Sequence, residues 1–475
     1  MKKTFLAALL LCFGFGANAK KKKLERPNIV LILVDDLGKE WVSCYGAQGI
    51  NTPNVDALAE QGKRFSNAYS MPQCTPSRVT LLTGQYPFRH GWINHWDVPR
   101  WGGGAHYDER KNPSLAKALK RAGYATAVAG KWQIDDFRVE PEAMVKSGFD
   151  EFFMWTGYEA GNPPSSKRYQ DPYVFGQGVS GTQKGKFGPD LYSGFIIDFI
   201  KKNKEKPFFA YFPMALTHSP FVDTPDEKAD SKLGKHKSMV RYADKLTGNV
   251  LKALEDAGVR ENTVVIWTAD NGTSGSIVGQ LNGRAVRGGK AKTIEAGICM
   301  PFIVSWPARM SPGVTETLVD FSDIYPTLLE LAGARRQKGY VIDGRSFAKV
   351  LKGEAKDGPR SWILGMGGKN QAKLTDKGVE NRFRYRDRVL RNKRYKLCIG
   401  TDRKAKAFYD LREDPWEERN LIDNLGVETG RRKSFEALMA VVKTFPEQDS
   451  DPSYLPNPKR PWDVEVKAKS QIWKE

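Results

Sequence analysis

Short runs of apolar residues alternate with stretches of helical periodicity over most of the chain. The segment NIVLILV, residues 28–34, is an unbroken apolar run of strand length, and ATAVAG, PFFAYFPM and NTVVIWT are similar. Between them, stretches such as SLAKALKRAGY and KSMVRYADKLTGNVLKALEDAG space their apolar residues as amphipathic helices do. Unbroken apolar strands separated by helices are typical of parallel sheets covered on both faces. The pattern predicts an α/β domain with a mixed, mostly parallel central sheet flanked by helices.

The pattern changes after about residue 350. The segments VENRFRYRDRVLRNKRYKLCIG and KAFYDLREDPWEERNL alternate polar and apolar positions and are broken by turn residues. Such alternation is typical of a small antiparallel sheet with one face in solvent. We therefore predict a large domain over residues 20–350 and a smaller C-terminal domain with an antiparallel sheet over residues 351–475.

The first residues, MKKTFLAALLLCFGFGANA, have the order of a secretory signal peptide: a charged start, a short apolar run and a small-residue cleavage site. We expect cleavage after Ala19 and a periplasmic or secreted protein. Cys12 lacks the small residues that a lipoprotein signal places before its cysteine, so a lipid anchor is not expected. Because no other segment approaches the ~20 apolar residues of a membrane span, we expect no stable membrane anchor.

The net charge limits the kinds of partner that are expected, and the cysteine content limits the expected metal sites and disulfides. The formal net charge is +20, which favours an anionic partner such as a membrane surface or an acidic polysaccharide, unless the lysines only maintain solubility. Export makes nucleic acid the least expected of the anionic partners. The five cysteines lack CxxC spacing, so neither a zinc site nor a disulfide framework is indicated. A bridge from Cys44 to Cys299 or Cys398 is left open, and so is the oligomeric state.

Polar residues follow four of the predicted strands. In an open parallel sheet, ligands bind at the carboxyl ends of the strands. Any one of these residues could be a helix cap or a turn residue. Together, two pairs of oxygen ligands indicate a site for Ca²⁺ or Mg²⁺, and the lysine and histidine beside them suit a tetrahedral oxyanion, as in hydrolysis or transfer of sulfate or phosphate. The residues are Asp35, Asp36, Lys131, His218, Asp270 and Asn271.

The nucleophile of such a site is not obvious. Cys74 precedes SRVTLLTG, which is predicted to begin a helix with Arg78 one turn further on. A cysteine at a helix N-terminus could be an ordinary buried thiol, a thiolate nucleophile or the precursor of another group. Soft sulfur is a poor match for a site built for a hard cation, so thiol chemistry conflicts with the surrounding ligands.

The segment CTPSRVTLLTGQYPFRHG resembles the signature of the type I sulfatases, members of the alkaline phosphatase superfamily. In that family the cysteine of a CxPSR motif is oxidised to formylglycine by a maturation enzyme. Other segments resemble the family in family order, including RPNIVLILVDDLG, AGYATAVAGKW, THSPF, NTVVIWTADNGT and RGGKAKTIEAGICMPFIVSWP. The hydrate of formylglycine offers a hard oxygen nucleophile and a second hydroxyl that later expels sulfate, which a thiol cannot do.

The resemblance implies roles for particular residues. It implies one Ca²⁺ held by Asp35, Asp36, Asp270 and Asn271, with residue 74 completing the site. It implies that Arg78 holds the aldehyde hydrate, that Lys131 and Lys290 bind sulfate oxygens, and that His218 protonates the leaving oxygen. Without the resemblance, Lys290 would be as well explained as a solvated loop lysine.

Gln133 departs from the family pattern. The family usually has GKWH, where this chain has GKWQ. The usual histidine contacts the formylglycine hydroxyl and helps its collapse, whereas glutamine can hydrogen-bond that hydroxyl but cannot take its proton. Either another base such as His90 or His106 substitutes, or turnover is slower, or activity is lost. Cys299 also departs, at a position where arginine is frequent, without a catalytic consequence.

Two segments suggest a carbohydrate substrate. In RFRYRDR the arginines at positions 382, 384, 386 and 388 would share one face of a strand, as either a solvated face or a strip for polymer sulfates, with Arg384 and Arg386 as the principal candidates. The segment HGWINHWDVPRWGGGAHYDER is rich in tryptophan and histidine. Its Trp96 and His106 are candidates to contact a sugar, although the tryptophans could instead pack on one another.

These features favour a sulfated carbohydrate over a small aryl sulfate as the substrate. Two alternatives come from other functional classes. The chain could be a phosphodiester or phosphonate hydrolase of the same superfamily, or a non-catalytic protein that binds sulfated glycans, as Gln133 and the arginine-rich segment would allow.

Overall fold

A computed structural model describes residues 26–93, 102–137, 139–156, 167–367, 372–375, 378–426 and 429–457. The predicted signal peptide, residues 1–19, lies outside these residues, as does Trp96. Within them, twenty-one strands and eleven α-helices form one large sheet, several small sheets and the helices packed on them.

The strands follow the chain in this order: β1 Asn28–Val34, β2 Lys63–Tyr69, β3 Gly102–His106, β4 Ala125–Lys131, β5 Glu151–Trp155, β6 Tyr173–Gly176, β7 Val179–Thr182, β8 Phe208–Pro213, β9 Thr263–Ala269, β10 Val278–Leu281, β11 Arg284–Arg287, β12 Cys299–Met300, β13 Phe302–Ser305, β14 Gly313–Asp320, β15 Ile363–Met366, β16 Ala372–Thr375, β17 Gly378–Asn381, β18 Arg388–Arg391, β19 Tyr395–Ile399, β20 Ala405–Asp410 and β21 Ser453–Asn457. The helices are α1 Pro53–Glu60, α2 Cys74–Thr83, α3 Pro87–His90, α4 Leu115–Arg121, α5 Ala143–Lys146, α6 Gly188–Asn203, α7 Lys232–Asp256, α8 Glu295–Ile298, α9 Ile324–Ala332, α10 Ala348–Leu351 and α11 Thr429–Val442.

The large sheet has the strand order β12-β2-β13-β9-β1-β8-β4-β5-β6-β7, with β14 paired to β2. Its centre, β9-β1-β8-β4-β5, is parallel throughout, while its outer pairs are mostly antiparallel. Every residue of β1, β8 and β9 is buried, which explains why these strands are apolar without alternation. The predicted mixed, mostly parallel sheet is confirmed.

Helices cover the sheet in two groups. Helix α7 contacts both α1 and α6, and α2, α4 and α9 form a second connected group; β4 contacts both α6 and α4. The sequence marks several helix ends. Pro53 begins α1, the Ser114 side chain accepts the amide of Lys117 at the start of α4, and Gly84 ends α2 with a positive φ of 69°.

A smaller antiparallel sheet, β15-β18-β19-β20, follows in the C-terminal part of the chain. Its core includes Leu364, Leu390, Leu397 and Phe408. The predicted antiparallel sheet is confirmed, whereas the domain boundary near residue 350 remains a prediction. The last described strand, β21, lies outside this sheet and pairs with β3 in a separate two-stranded sheet.

The arginine-rich segment differs from the prediction. Only Arg388 of its four alternating arginines lies in a strand. Arg382 and Arg384 are exposed, whereas Arg386 and Arg388 are buried, so the four do not share one face. The reason is a distant carboxylate: Asp449 accepts the backbone amide of Arg386 at 2.7 Å and donates its own amide to the carbonyl of Arg384 at 2.7 Å. These bonds replace the strand pairing that the alternation predicted.

The described cysteines Cys44, Cys74, Cys299 and Cys398 are all free thiols, so neither bridge left open by the sequence forms among them. Among the described helices, none combines the length and the apolar character that crossing a bilayer requires.

Candidate active site

The strand ends bring the predicted metal ligands together. Strands β1 and β9 pair in parallel with Val34 opposite Ala269, so the residues that follow each strand start at the same level. The backbone amide of Asp36 donates to Asp270 Oδ1 at 3.1 Å, and Asn271 Nδ2 donates to Asp36 Oδ1 at 2.8 Å. All four side chains from these strand ends are buried.

The segment after β8 fixes His218 beside this group. The amide of Thr217 donates to the carbonyl of Asp35 at 2.6 Å, and the amide of Asp35 donates to the carbonyl of Leu216 at 2.7 Å. This pairing continues the contact between β1 and β8 past the end of the sheet. It leaves His218 Nε2 3.7 Å from Asp36 Oδ2.

Cys74 is the first residue of α2, and all ten residues of this helix are buried. Its sulfur and one oxygen each of Asp35 and Asp270 lie within 4.8 Å of one another. One turn along, the Arg78 guanidinium donates to Asp270 Oδ2 at 3.1 and 2.7 Å and to the carbonyl of Lys131 at 2.6 Å. Arg78 therefore links α2 to the ends of β9 and β4.

Two lysines complete the charged group. Lys131 Nζ lies 2.5 Å from Asp35 Oδ2, and Lys290 Nζ lies 2.7 Å from Asp36 Oδ2. Lys131 is brought close by Gly130, whose φ is +124° and where a Cβ atom would lie 2.0 Å from the Pro213 carbonyl oxygen. Only glycine accepts both conditions, so the approach of β4 to β8 at this point depends on it.

Three of the seven described non-glycine residues with a positive φ lie at or next to the site. Asp36, Gln133 and Ala291 have φ values of 59°, 59° and 65°, in the left-handed region that costs a non-glycine residue about 1–2 kcal/mol. Asp36 is one of the predicted ligands, Gln133 follows β4 two residues after Lys131, and Ala291 follows Lys290. Strain of this kind persists where surrounding contacts hold functional side chains in place.

The carboxylates repel one another, and the cations offset this only in part. Burial would raise the pKa of Asp35, but positive charges led by Lys131 outweigh it and hold that pKa well below its usual value. Burial would likewise raise the pKa of Asp36, but the positive charges around it, led by Lys290, outweigh burial and lower that pKa. At Asp270, burial and the charge of Asp35 outweigh Arg78 and raise the pKa well above its usual value. A divalent cation among these carboxylates would remove the repulsion.

His218 is neutral near pH 7. Burial lowers its pKa to about 4, although the charge of Asp36 opposes the shift. For Lys290, the Asp36 carboxylate outweighs burial and raises the pKa above its usual value, so this lysine stays charged. The site therefore presents a charged Lys290 and a neutral His218 imidazole, both beside Asp36.

The donor atoms fit a hard cation. Oδ1 of Asp35 and Oδ1 of Asn271 are buried and accept no hydrogen bond from the described part of the chain. Buried oxygens without donors are rare unless an ion or water satisfies them. With Asp36 and Asp270 they make a set of oxygen ligands, which Ca²⁺ and Mg²⁺ prefer. The structure thus contains an acidic cluster that is able to hold a metal ion.

Gln133 lies beside α2. Its carbonyl oxygen accepts a hydrogen bond from Thr75 Oγ1 at 3.2 Å, and the residue is 8% exposed. His90, one alternative base, has its two ring nitrogens within 3.1 Å of Thr80 Oγ1 and the Trp92 amide, and burial lowers its pKa to about 3. This environment does not suit a proton acceptor at the reacting atoms.

The candidate sugar contacts are distributed differently from the prediction. Trp92 is fully buried and its ring lies 6.0 Å from that of His90, so this tryptophan packs in the interior. His106 is half-buried at the end of β3, opposite Ser453 of β21. Of the two principal arginines, Arg384 is exposed and Arg386 is fully buried.

Sequence reasoning missed Arg168. One of its terminal nitrogens, Nη1, lies 3.0 Å from His218 Nδ1, and its guanidinium carbon lies 4.5 Å from the centre of the Trp155 ring. It occupies an irregular segment between β5 and β6 that has neither helical nor strand periodicity. No signal in the sequence distinguishes this arginine from the exposed ones.

Comparisons with known proteins show the family to which the chain belongs. The family model for sulfatases matches residues 27–334, and the model for the C-terminal region of N-sulphoglucosamine sulphohydrolase matches residues 290–443. The dog N-acetylgalactosamine-6-sulfatase is 32% identical over 76% of this chain and 72% of its own length.

A bacterial relative and a solved structure extend the similarity. The N-acetylgalactosamine-6-O-sulfatase of Bacteroides thetaiotaomicron is 29% identical over 86% of this chain and 92% of its own length. A solved protein of glycosaminoglycan metabolism from the same species superposes with a TM-score of 0.69 at 26% identity, covering 88% of this chain and 100% of that one.

Proposed function

Because the chain belongs to the sulfatase family, whose members hydrolyse sulfate esters, we propose that it removes sulfate from a sulfated carbohydrate, using a formylglycine derived from Cys74 and one bound Ca²⁺. The observation that carries this proposal is the position of Cys74. It begins a buried helix and lies within 4.8 Å of Asp35 and Asp270 oxygens, where a hard nucleophile suits the neighbouring ligands and a thiol does not.

Asp35, Asp36, Asp270 and Asn271 would hold the Ca²⁺, with residue 74 completing the set. When bound, the ion supplies positive charge that stabilises oxygen anions at the site. Residue 74, once converted to an aldehyde by a maturation enzyme, supplies as its hydrate an oxygen nucleophile and a second hydroxyl for release of sulfate. Arg78 orients this residue, because its guanidinium is fixed between Asp270 and the Lys131 carbonyl.

Lys131 and Lys290 bind the sulfate oxygens. Each is held by a single aspartate at 2.5 or 2.7 Å, which leaves further ammonium hydrogens to donate to an oxyanion. His218 protonates the departing alcohol oxygen. Because burial lowers its pKa to about 4, it is neutral in the free enzyme. To donate from Nε2 it must hold its single proton there, with Nδ1 accepting from Arg168 rather than donating to the Ser219 carbonyl.

Gln133 takes the position at which the family usually has histidine. Its amide can orient the hydroxyl of residue 74 but cannot accept its proton. We propose that release of sulfate is therefore slower than chemistry at the ester, and that Gln133 contributes orientation only.

A sulfated glycan is the favoured substrate class. The relatives include N-acetylgalactosamine-6-sulfatases from dog and from Bacteroides thetaiotaomicron, and the net charge of +20 favours an anionic polymer. We propose that residues 1–19 direct export to the periplasm or beyond, and that residues 20–350 and 351–475 are the two domains. Arg384 and His106 remain candidates to contact the glycan.

Mass spectrometry of the peptide that contains residue 74, from protein matured in its native host, tests the chemistry. We expect the mass of an aldehyde in place of a thiol. A substrate panel then compares sulfate esters of N-acetylgalactosamine with phosphate monoesters and diesters, with Cys74→Ala as the inactive control and Cys299→Ala as a matched active one.

Each outcome separates the candidate functions. Sulfate release that requires Cys74 supports the proposal. Faster hydrolysis of phosphate diesters would favour the phosphodiesterase alternative. An unconverted Cys74 together with tight glycan binding and no turnover would favour a glycan-binding protein.

A further inference from the structure

Arg168 is a cation without a carboxylate partner at the leaving-group side of the site. Its Nη1 lies 3.0 Å from His218 Nδ1, and it forms no ion pair within the described ranges of the chain. Lys131 and Lys290, by contrast, are each paired with an aspartate. An unpaired guanidinium in a half-buried position is costly unless an anion arrives to neutralise it.

The contact with His218 does not satisfy Arg168. The same Nδ1 atom lies closer, at 2.6 Å, to the carbonyl oxygen of Ser219. One nitrogen cannot donate a proton to Ser219 and accept one from Arg168 at the same time. In addition, Nε of Arg168 is buried and has no acceptor among the residues that the structure describes. The guanidinium therefore has donors left for a ligand.

Trp155 fixes the orientation of the guanidinium. The carbon of the guanidinium lies 4.5 Å from the centre of the Trp155 ring, within the range of a cation–π contact. Stacking restricts the plane of the group, and a guanidinium presents its paired N–H donors in that plane. Carboxylates and sulfates match such a fork with two parallel hydrogen bonds.

We propose that Arg168 and Trp155 form a subsite for an anionic substituent on the sugar that carries the cleaved ester, or on the sugar linked to it. This inference rests on the proposed function, because His218 marks where the departing oxygen lies. The substituent is a uronate carboxylate or a second sulfate, which share the two oxygens that the guanidinium recognises. A substrate whose only charged group is the sulfate that is cleaved leaves Arg168 without an anionic partner.

The test compares three probes: N-acetylgalactosamine 6-sulfate, its 4,6-disulfate, and a uronate-containing disaccharide of the 6-sulfate. Arg168→Met removes the charge and keeps an unbranched apolar side chain over Trp155, and Arg168→Lys keeps the charge but loses the fork. Arg284→Met is the matched control, since Arg284 also stacks on a tryptophan, Trp416 at 4.7 Å, but pairs with Glu418.

We expect Arg168→Met to lower kcat/KM on one or both doubly charged probes at least about tenfold more than on the 6-sulfate, as loss of a charged hydrogen bond does. Arg168→Lys should recover part of that difference, and Arg284→Met should lower the three values equally. The probe that shows the larger loss identifies the carboxylate or the second sulfate. Equal losses on all three probes for Arg168→Met would overturn the subsite.

Binding to the Cys74→Ala protein separates this inference from the proposed function. If the parent enzyme cleaves none of the probes, the proposed function fails, and calorimetric Kd values still test the subsite. A Kd that Arg168→Met weakens at least tenfold more for a doubly charged probe supports it. Equal Kd changes for all three probes would reject the subsite. Thermal unfolding verifies that each variant is folded.

Discussion

Two regions of this molecule bury several charged side chains, and they use them differently. At the ends of β1, β4 and β9, carboxylates and lysines neutralise one another incompletely, and the buried Oδ1 atoms of Asp35 and Asn271 accept no hydrogen bond from described residues. In the segment from Arg384 to Arg388, the arginines are tied into the fold by Asp449. The first arrangement leaves polar atoms available to bind ligands. The second uses most of its polar atoms in hydrogen bonds and ion pairs within the fold.

The difference lies in where the side chains come from. Strand ends meet at one edge of a parallel sheet, and this edge is where open α/β folds bind their ligands. Arg388 instead lies within a strand, stacks on Tyr385 at 3.6 Å and pairs with Asp449 at 2.8 Å, with both charged side chains almost fully buried. Charge in a sequence therefore indicates function only when the element that carries it ends at an open edge.

Replacing a site lysine should impair catalysis without unfolding the protein. Lys290→Ala removes preorganised charge from the sulfate oxygens, which should raise the barrier by about 2–4 kcal/mol, or roughly 30- to 900-fold in kcat/KM. The same range is expected for Lys131→Ala. Steady-state kinetics on a sulfate ester measures this, with the exposed Lys292→Ala as control. Values within tenfold of the parent would contradict the assignment.

Removing the carboxylate partner of Arg388 should instead lower stability and leave catalysis intact. Asp449→Asn leaves Arg388 buried and without its ion pair, which should lower the free energy of unfolding by about 3 kcal/mol. Activity per folded molecule should stay within about twofold, because this pair belongs to the fold rather than the site. Denaturant titration measures the first effect.

Asp402→Asn provides the control for Asp449→Asn, since Asp402 pairs with Lys406 on the exposed surface. Its unfolding transition should match that of the parent. A stability loss as large as that of Asp449→Asn would remove the contrast between buried and exposed pairs.

Substitutions of Gln133 test whether release of sulfate limits turnover. Gln133→Ala should lower kcat about 3- to 10-fold through loss of one hydrogen bond, with little change in KM. Gln133→His should raise kcat above the parent value, because a base at this position speeds sulfate release. A burst of alcohol release in the parent that disappears in Gln133→His would show this directly. If His lowers kcat as much as Ala does, release is not the slow step.

The exposed part of the arginine segment should have the smallest effect. Arg384→Ala should weaken action on a long sulfated chain by only about two- to fivefold more than action on a small sulfate ester, as expected of an exposed charge. Arg412→Ala is an exposed control. Equal effects on the chain and on the small ester would end the case for Arg384 as a polymer contact.

Much of the fold could be predicted, because its strands and helices have strong local patterns. The apolar run of β1 and the helical spacing of α7 each dictate one structure, and both confirm the prediction. The sequence also located residues such as Asp35 and Lys131 at strand ends, and the structure brings these residues together. Their roles in catalysis stay predictions.

What could not be predicted depends on contacts between distant residues. The alternation of Arg384, Arg386 and Arg388 predicts a strand, and nothing nearby in the sequence reveals that Asp449 takes the amide of Arg386. The approach of Arg168 to His218 likewise joins two irregular segments fifty residues apart. Local periodicity carries no information about either contact.

The position of β2 in the large sheet has a consequence for the order of events during synthesis. This strand leads directly to Cys74, yet its neighbours β13 and β14 end only at residues 305 and 320. At roughly 5–20 residues per second, the ribosome needs between about 10 and 50 s to supply them. Until then the segment around Cys74 cannot enter its buried position. The proposed modification of this cysteine would therefore depend on the delay, since the finished fold exposes none of the side chain.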